Sequence, residues 1–221
     1  MPASQMLPYY AEHFTSTEIN YTFRRIPAEK TIYKWSEATP ARFKFSFKAP
    51  QRITHFAKLR GCAELLTVFQ KAIASSATKL GPVLFQLPAT FPKDAEVLRG
   101  FLSDVPREMR AAFEFRHESW FDESIFGILR AANAALCVAE DEELATPAIA
   151  TADFGYLRLR REDYKRPQIK RWSKWISERD AQWSEAFVYF KHEDGAVGPK
   201  FAQQMRAHLE ETCVQGHSLD C

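Results

Sequence analysis

The chain is predicted to be an α/β protein, an incomplete TIM-type (β/α) barrel with about seven strands. Three observations carry this. Short β-rich segments alternate along the chain with stretches of helical apolar spacing. The strand segments alternate polar and apolar residues. The 221 residues are 46% hydrophobic and 14% aromatic, enough for one sizeable core. Alternating strands and helices imply parallel strands with right-handed crossovers. About seven such units suit a closed barrel better than an open doubly wound sheet. One barrel domain is expected over residues 1–211, with 212–221 a loose tail.

The elements follow in order. Strands are expected at 17–23 (TEINYTF), 43–50 (FKFSFKAP), 81–88 (GPVLFQLP), 111–117 (AAFEFRH), 135–141 (ALCVAED), 154–160 (FGYLRLR) and 186–193 (AFVYFKHE). Helical spacing marks 28–38, 64–79, 95–102, 125–132, 169–183 and 201–209. Pro40, Gly81 and Pro106 punctuate their ends. The link 141–154 is too short and proline-broken for a full helix.

Composition excludes several classes. Net charge is only +2, so bulk charge does not call for nucleic acid or a membrane surface. No apolar run reaches spanning length, and MPASQMLPYY lacks the pattern of a signal peptide. Cys62, Cys137, Cys213 and Cys221 show no metal-type spacing, and Cys137 sits in an apolar run. A reduced, cytoplasmic protein is the default. There is no glycine-rich phosphate loop, nucleophile elbow or dinucleotide fingerprint. No cofactor is expected.

The alternation selects candidate site residues. In AFEFRHESWF, Glu114 and Arg116 share one strand face while Phe113 and Phe115 share the other. Glu18 and Asn20, Lys44, Ser46 and Lys48, Gln86, and Arg158 and Arg160 likewise alternate with apolar neighbours. In a barrel the apolar set faces the helices, and the polar set lines the interior toward the C-terminal mouth. Glu114 and Glu18 are the candidate acid and base, a carboxylate pair of the kind that divides proton transfer. His117 is a further candidate for that chemistry. Lys48, Arg116 and Arg158 would hold an anion. Gln86 and Asn20 would orient hydroxyls, and Trp120 would wall the pocket. The bland alternative is an ion-pair network that neutralises the interior. His55, His117 and His192 lie near strand ends, but no spaced ligand set accompanies them, and no metal is expected. Basic residues interleave with Trp172, Trp175 and Trp183. That pattern can bind single-stranded nucleic acid, but it also fits a helix burying its tryptophan side.

The segments YYAEHFTSTEINYTF, WSEATPARFKFSFKAPQRITH, GPVLFQLPATF, FEFRHESWF, TADFGYLRLR and VYFKHEDGAVGP, in this order, resemble the YecE-like family, domain of unknown function 72. The resemblance covers nearly the whole chain and implies a (β/α) barrel; it implies no established activity. Members usually open with a strand ending in Gly-Thr-Ser-Gly-Trp. This chain starts near the following helix, so a gap between the 17–23 and 186–193 strands and a truncated, poorly active barrel are expected. Lys191, His192 and Glu193 stand where members often carry an Asn-rich end. The expected function is that of a hydrolase, lyase or isomerase on a small anionic or sugar-like molecule. The alternatives are a nucleic-acid-binding or repair-type protein, or a barrel without chemistry.

Overall fold

The computed structural model describes the backbone of residues 2–141, 145–190 and 197–215, and their side chains except at 3, 4 and 212–215. The chain forms two compact units, Met1–Leu136 and Cys137–Cys221.

The first unit contains α1 (Ala3–His13), β1 (Ser16–Ile19), α2 (Glu29–Glu37), β2 (Lys44–Lys48), α3 (Ala63–Ala74), β3 (Leu80–Gln86), α4 (Ala95–Asp104), β4 (Ala111–Glu114), α5 (Glu123–Ala131) and β5 (Ala135–Leu136). Its five strands pair in parallel in the order β1-β2-β3-β4-β5. The register aligns Thr17 with Phe45, Ile19 with Phe47, Phe47 with Val83, and Phe85 with Phe113. These residues share the face that meets the helices. Phe85 and Phe113 both touch Phe101 of α4, with ring centroids 5.1 and 6.1 Å away. Phe45, Phe47, Phe85, Phe113 and Phe115 are all fully buried. Asp94 and Asp122 cap α4 and α5 by accepting the amides of Val97 and Ser124. Gly81 suits the close approach of β3 to β2, because a Cβ there would lie 3.0 Å from the Phe45 carbonyl oxygen and push it back.

The second unit contains β6 (Val138–Glu140), β7 (Phe154–Leu159), α6 (Arg166–Ser177), β8 (Glu185–Phe190) and α7 (Val197–Gln215). Its strands pair in parallel in the order β6-β7-β8. Val138, Leu157, Leu159, Ile169, Trp172 and Met205 form its core. Pro167 sits in the first turn of α6, where its missing N–H costs nothing.

Among the described residues the expected closed barrel is not found: the strands hydrogen-bond as a five-stranded sheet and a three-stranded sheet. What stands is an α/β fold of parallel strands alternating with helices. The segment 135–141 does not form one strand. It divides at Cys137, and its halves join different sheets.

Other limits moved for local reasons. The 17–23 strand stops at Ile19, because Asn20 turns helical (φ −82°, ψ −17°) and Tyr21–Phe23 closes a 3-10 turn. Buried Thr22 fixes that turn, its hydroxyl reaching the carbonyls of Ile19 at 2.9 Å and Lys48 at 2.6 Å. The 64–79 helix ends at Ala74, with left-handed Ala77 (φ 53°) beyond it. The 169–183 helix starts earlier, at Arg166, and stops at Ser177. The tail expected from 212 is helical through Gln215 as part of α7. No helix among the described residues is long and apolar enough to cross a membrane.

Candidate functional site

Period-two alternation sends the other face of the first sheet its polar residues. Register sets Glu18 opposite Ser46, Lys48 opposite Leu84, and Gln86 opposite Glu114. Glu18, Lys48, Gln86 and Glu114 therefore share one sheet face, opposite the phenylalanines, and Lys48, Gln86 and Glu114 are the last residues of their strands. The C-terminal ends of parallel strands are where α/β proteins place ligands.

Glu114 is the centre of this row. It is fully buried. Its Oε1 accepts a 2.6 Å hydrogen bond from Gln86 Nε2 and lies 3.4 Å from an Arg116 guanidinium nitrogen. Arg116 keeps 22% of its side chain exposed. A buried carboxylate is thus joined to a cation that reaches solvent.

Lys48 lies at the end of β2. Its Nζ stands 4.4 Å from the centre of the Phe23 ring, a cation–π contact. His55 meets the same ring edge-on at 4.9 Å. Its Nδ1 is 2.9 Å from the Thr54 hydroxyl. Burial first, and the Lys48 charge second, lower the His55 pKa below the ordinary imidazole value.

The other predicted residues sit as follows. Asn20 is exposed in the turn after β1, outside the strand alternation. His117 caps a short turn: its Nδ1 accepts the Ser119 amide at 3.2 Å and lies 2.9 Å from the Ser119 hydroxyl. That hydroxyl also accepts the Lys93 amide at 2.8 Å. Trp120 is corrected: it is no pocket wall. It is fully buried, stacks on Phe115 at 4.6 Å, and donates its indole N–H to the Phe91 carbonyl at 2.7 Å. Phe115 belongs to the apolar phase of its segment and draws the indole with it. Arg158 lies in the second unit, 8% exposed, in register with Ala139 and Tyr189. His192, with Lys191 and Glu193, lies outside the described residues.

Glu140 stands outside the predicted site residues. This carboxylate accepts the Tyr164 hydroxyl at 2.9 Å and the Trp172 indole N–H at 2.8 Å, with Arg171 at 3.5 Å. Desolvation first, then the Glu140 charge, push the Tyr164 hydroxyl far above its usual pKa. Register pairs Glu140 with Leu159, so it points to the helix side and ties α6 to β6. Its spacing from Val138 was the available signal. Phe23 was also missed, for it was assigned to a strand rather than to the turn beneath Lys48. The tryptophan stretch packs largely as a helix face, with Trp172 buried and Trp175 and Trp183 against the same core. Among the described residues, no group of three or more His, Cys, Asp and Glu is placed to hold a metal.

The profile of the family described as protein of unknown function DUF72 matches residues 1–218. The chain belongs to the DUF72 family. It is similar to the UPF0759 protein YecE of Escherichia coli K12, 38% identical over 116 residues that cover 52% of this chain and 43% of YecE. That match spans less than half of YecE's length. The UPF0759 protein YunF of Bacillus subtilis is 22% identical, covering 94% of this chain and 88% of YunF. In structure the chain resembles a DUF72 protein from Thermotoga maritima, with a TM-score of 0.80 at 22% identity over 97% of this chain and 91% of the other. One from Enterococcus faecalis aligns with a TM-score of 0.76 at 20% identity over 94% of each chain. These likenesses establish the fold. The DUF72 name carries no reaction and no substrate.

Proposed function

We propose that the polar face of the first sheet binds a small anionic or sugar-like molecule, with Glu114 as its acid or base. The supporting observation is the placement of Glu114, fully buried at the end of a parallel strand and joined to the partly exposed Arg116. Arg116 and Lys48 are the cations for the anion, and Gln86 holds the carboxylate in place. Glu18 is the second carboxylate, at solvent-reachable depth on the same face. Arg158 lies in the second unit and is no part of this face. The reaction classes that suit these groups are hydrolysis, elimination and isomerisation, carried at the strand ends of the first sheet. Asn20 and His117 would act at its rim.

The test is a titration of inorganic phosphate into the intact protein and into Arg116→Ala and Lys48→Ala. Each substitution should weaken binding at least tenfold, the factor that about 1.4 kcal/mol gives. Equal phosphate affinity in all three proteins would remove this reading and leave Glu114 in a structural ion pair. Nucleic-acid binding is the second reading; it predicts an affinity that falls steeply with salt.

A further inference from the structure

The turns after β1 and β2 carry more than a connection requires. After β2 the chain makes one π-helical turn, Arg52–Phe56. Such turns are rare and recur at functional sites. The chain then passes Lys58 at φ 47° and Leu59 at φ 69°. Two successive left-handed residues without glycine are strained, and they persist only where surrounding structure holds them. Here Leu59 is buried and donates its amide to the Ile53 carbonyl at 2.9 Å. The backbone so held presents Phe56 outward, 72% exposed. The turn after β1, pinned by Thr22, presents Tyr21 at 54% exposure. The two turns touch through Phe23 and His55.

Isolated exposed apolar side chains are ordinary. Met6, Tyr9, Tyr33 and Val68 are of that kind and lie on α1, α2 and α3. Tyr21 and Phe56 differ in place: they lie in the two turns that Phe23 and His55 bring together, Tyr21 two residues before Phe23 and Phe56 next to His55, with the Lys48 amine against Phe23 and Arg52 exposed in the second turn. Aromatic faces next to cations complement a ligand with a flat ring and a negative group.

We infer that this end of the first sheet binds an anion attached to a planar ring, of the aryl phosphate class, with Lys48 and Arg52 on the anion and Phe56 and Tyr21 against the ring. The inference rests on the anion reading above and specifies its ligand.

The experiment is calorimetric titration of the intact protein with phenyl phosphate and with inorganic phosphate. Phenyl phosphate should bind about tenfold tighter, the factor that 1.4 kcal/mol gives. Phe56→Ala should abolish that preference and leave inorganic phosphate affinity unchanged, and Phe56→Trp should restore it. Phe56 is exposed, so neither substitution opens the core. Phosphate binding with no gain from the ring, or a gain that survives Phe56→Ala, overturns this inference and leaves the anion reading intact. If neither compound binds, the anion reading fails and this one falls with it. Salt-sensitive binding of a single-stranded oligonucleotide without binding of phenyl phosphate also overturns it.

Discussion

Each unit ends a parallel strand in a carboxylate, Glu114 fully buried and Glu140 with 12% of its side chain exposed, and the two have different surroundings. Glu114 lies on the face opposite Phe113 and Phe115, against Gln86 and the half-open Arg116. Glu140 lies on the face of Leu157 and Leu159, held by a phenol and an indole from the helix side. Both residues read alike in composition: an acid in an apolar run. Only the phase of the strand separates a carboxylate that fastens a helix from one that lies in the polar row on the opposite sheet face. Burial alone therefore marks neither as functional.

The contrast breaks most visibly at Glu140. Glu140→Ala leaves the Tyr164 hydroxyl and the Trp172 N–H without their acceptor. Each orphaned donor costs about 1–3 kcal/mol, so the loss should be roughly 2–6 kcal/mol in urea unfolding. Glu140→Gln keeps an oxygen acceptor and should recover most of it. Phosphate affinity should not change in either variant. A melt indistinguishable from the parent protein would show that the clamp is idle.

A smaller effect is expected at Arg116. Its partly exposed guanidinium can be replaced by water, so Arg116→Ala should cost about 1 kcal/mol or less in stability. An uncompensated buried pair would lose roughly 3–5 kcal/mol instead. A loss of that size with phosphate binding intact would put Glu114 in the same structural class as Glu140.

The smallest effect concerns acid. His55 has a folded pKa below the unfolded 6.5, through burial and then Lys48. The unfolded chain therefore binds more protons in the window just below 6.5. Stability from this group is complete above that window and falls as the pH drops through it. Lys48→Met removes the lesser cause, so the imidazole titration followed by NMR should move up yet stay below 6.5. An unmoved midpoint would mean that Lys48 does not act on His55.

Much of this was legible in the sequence because alternation is a local signal. The faces of Phe45, Phe85 and Phe115, and of Lys48, Gln86 and Glu114, follow from period two alone. What failed depended on contacts remote in sequence. Trp120 is expected at a pocket wall, but its partners are Phe115 and the Phe91 carbonyl. The end of β1 is set by Thr22 reaching Lys48, twenty-six residues away. The division at Cys137 depends on which strands supply hydrogen bonds, and ALCVAED carries no mark of it. Barrel closure is a property of all the strands together, and segment counting does not reach it.

The parallel register has a consequence for descent. Loss or gain of one residue inside β3 would exchange the sides of Phe85 and Gln86 together, putting an amide into the aromatic core and a ring onto the polar row. Point substitutions can drift, but strand lengths cannot. Heritable variation in chain length should therefore collect in the turns, and the most divergent DUF72 sequences should still count the same number of residues between Lys44 and Lys48 and between Leu80 and Gln86.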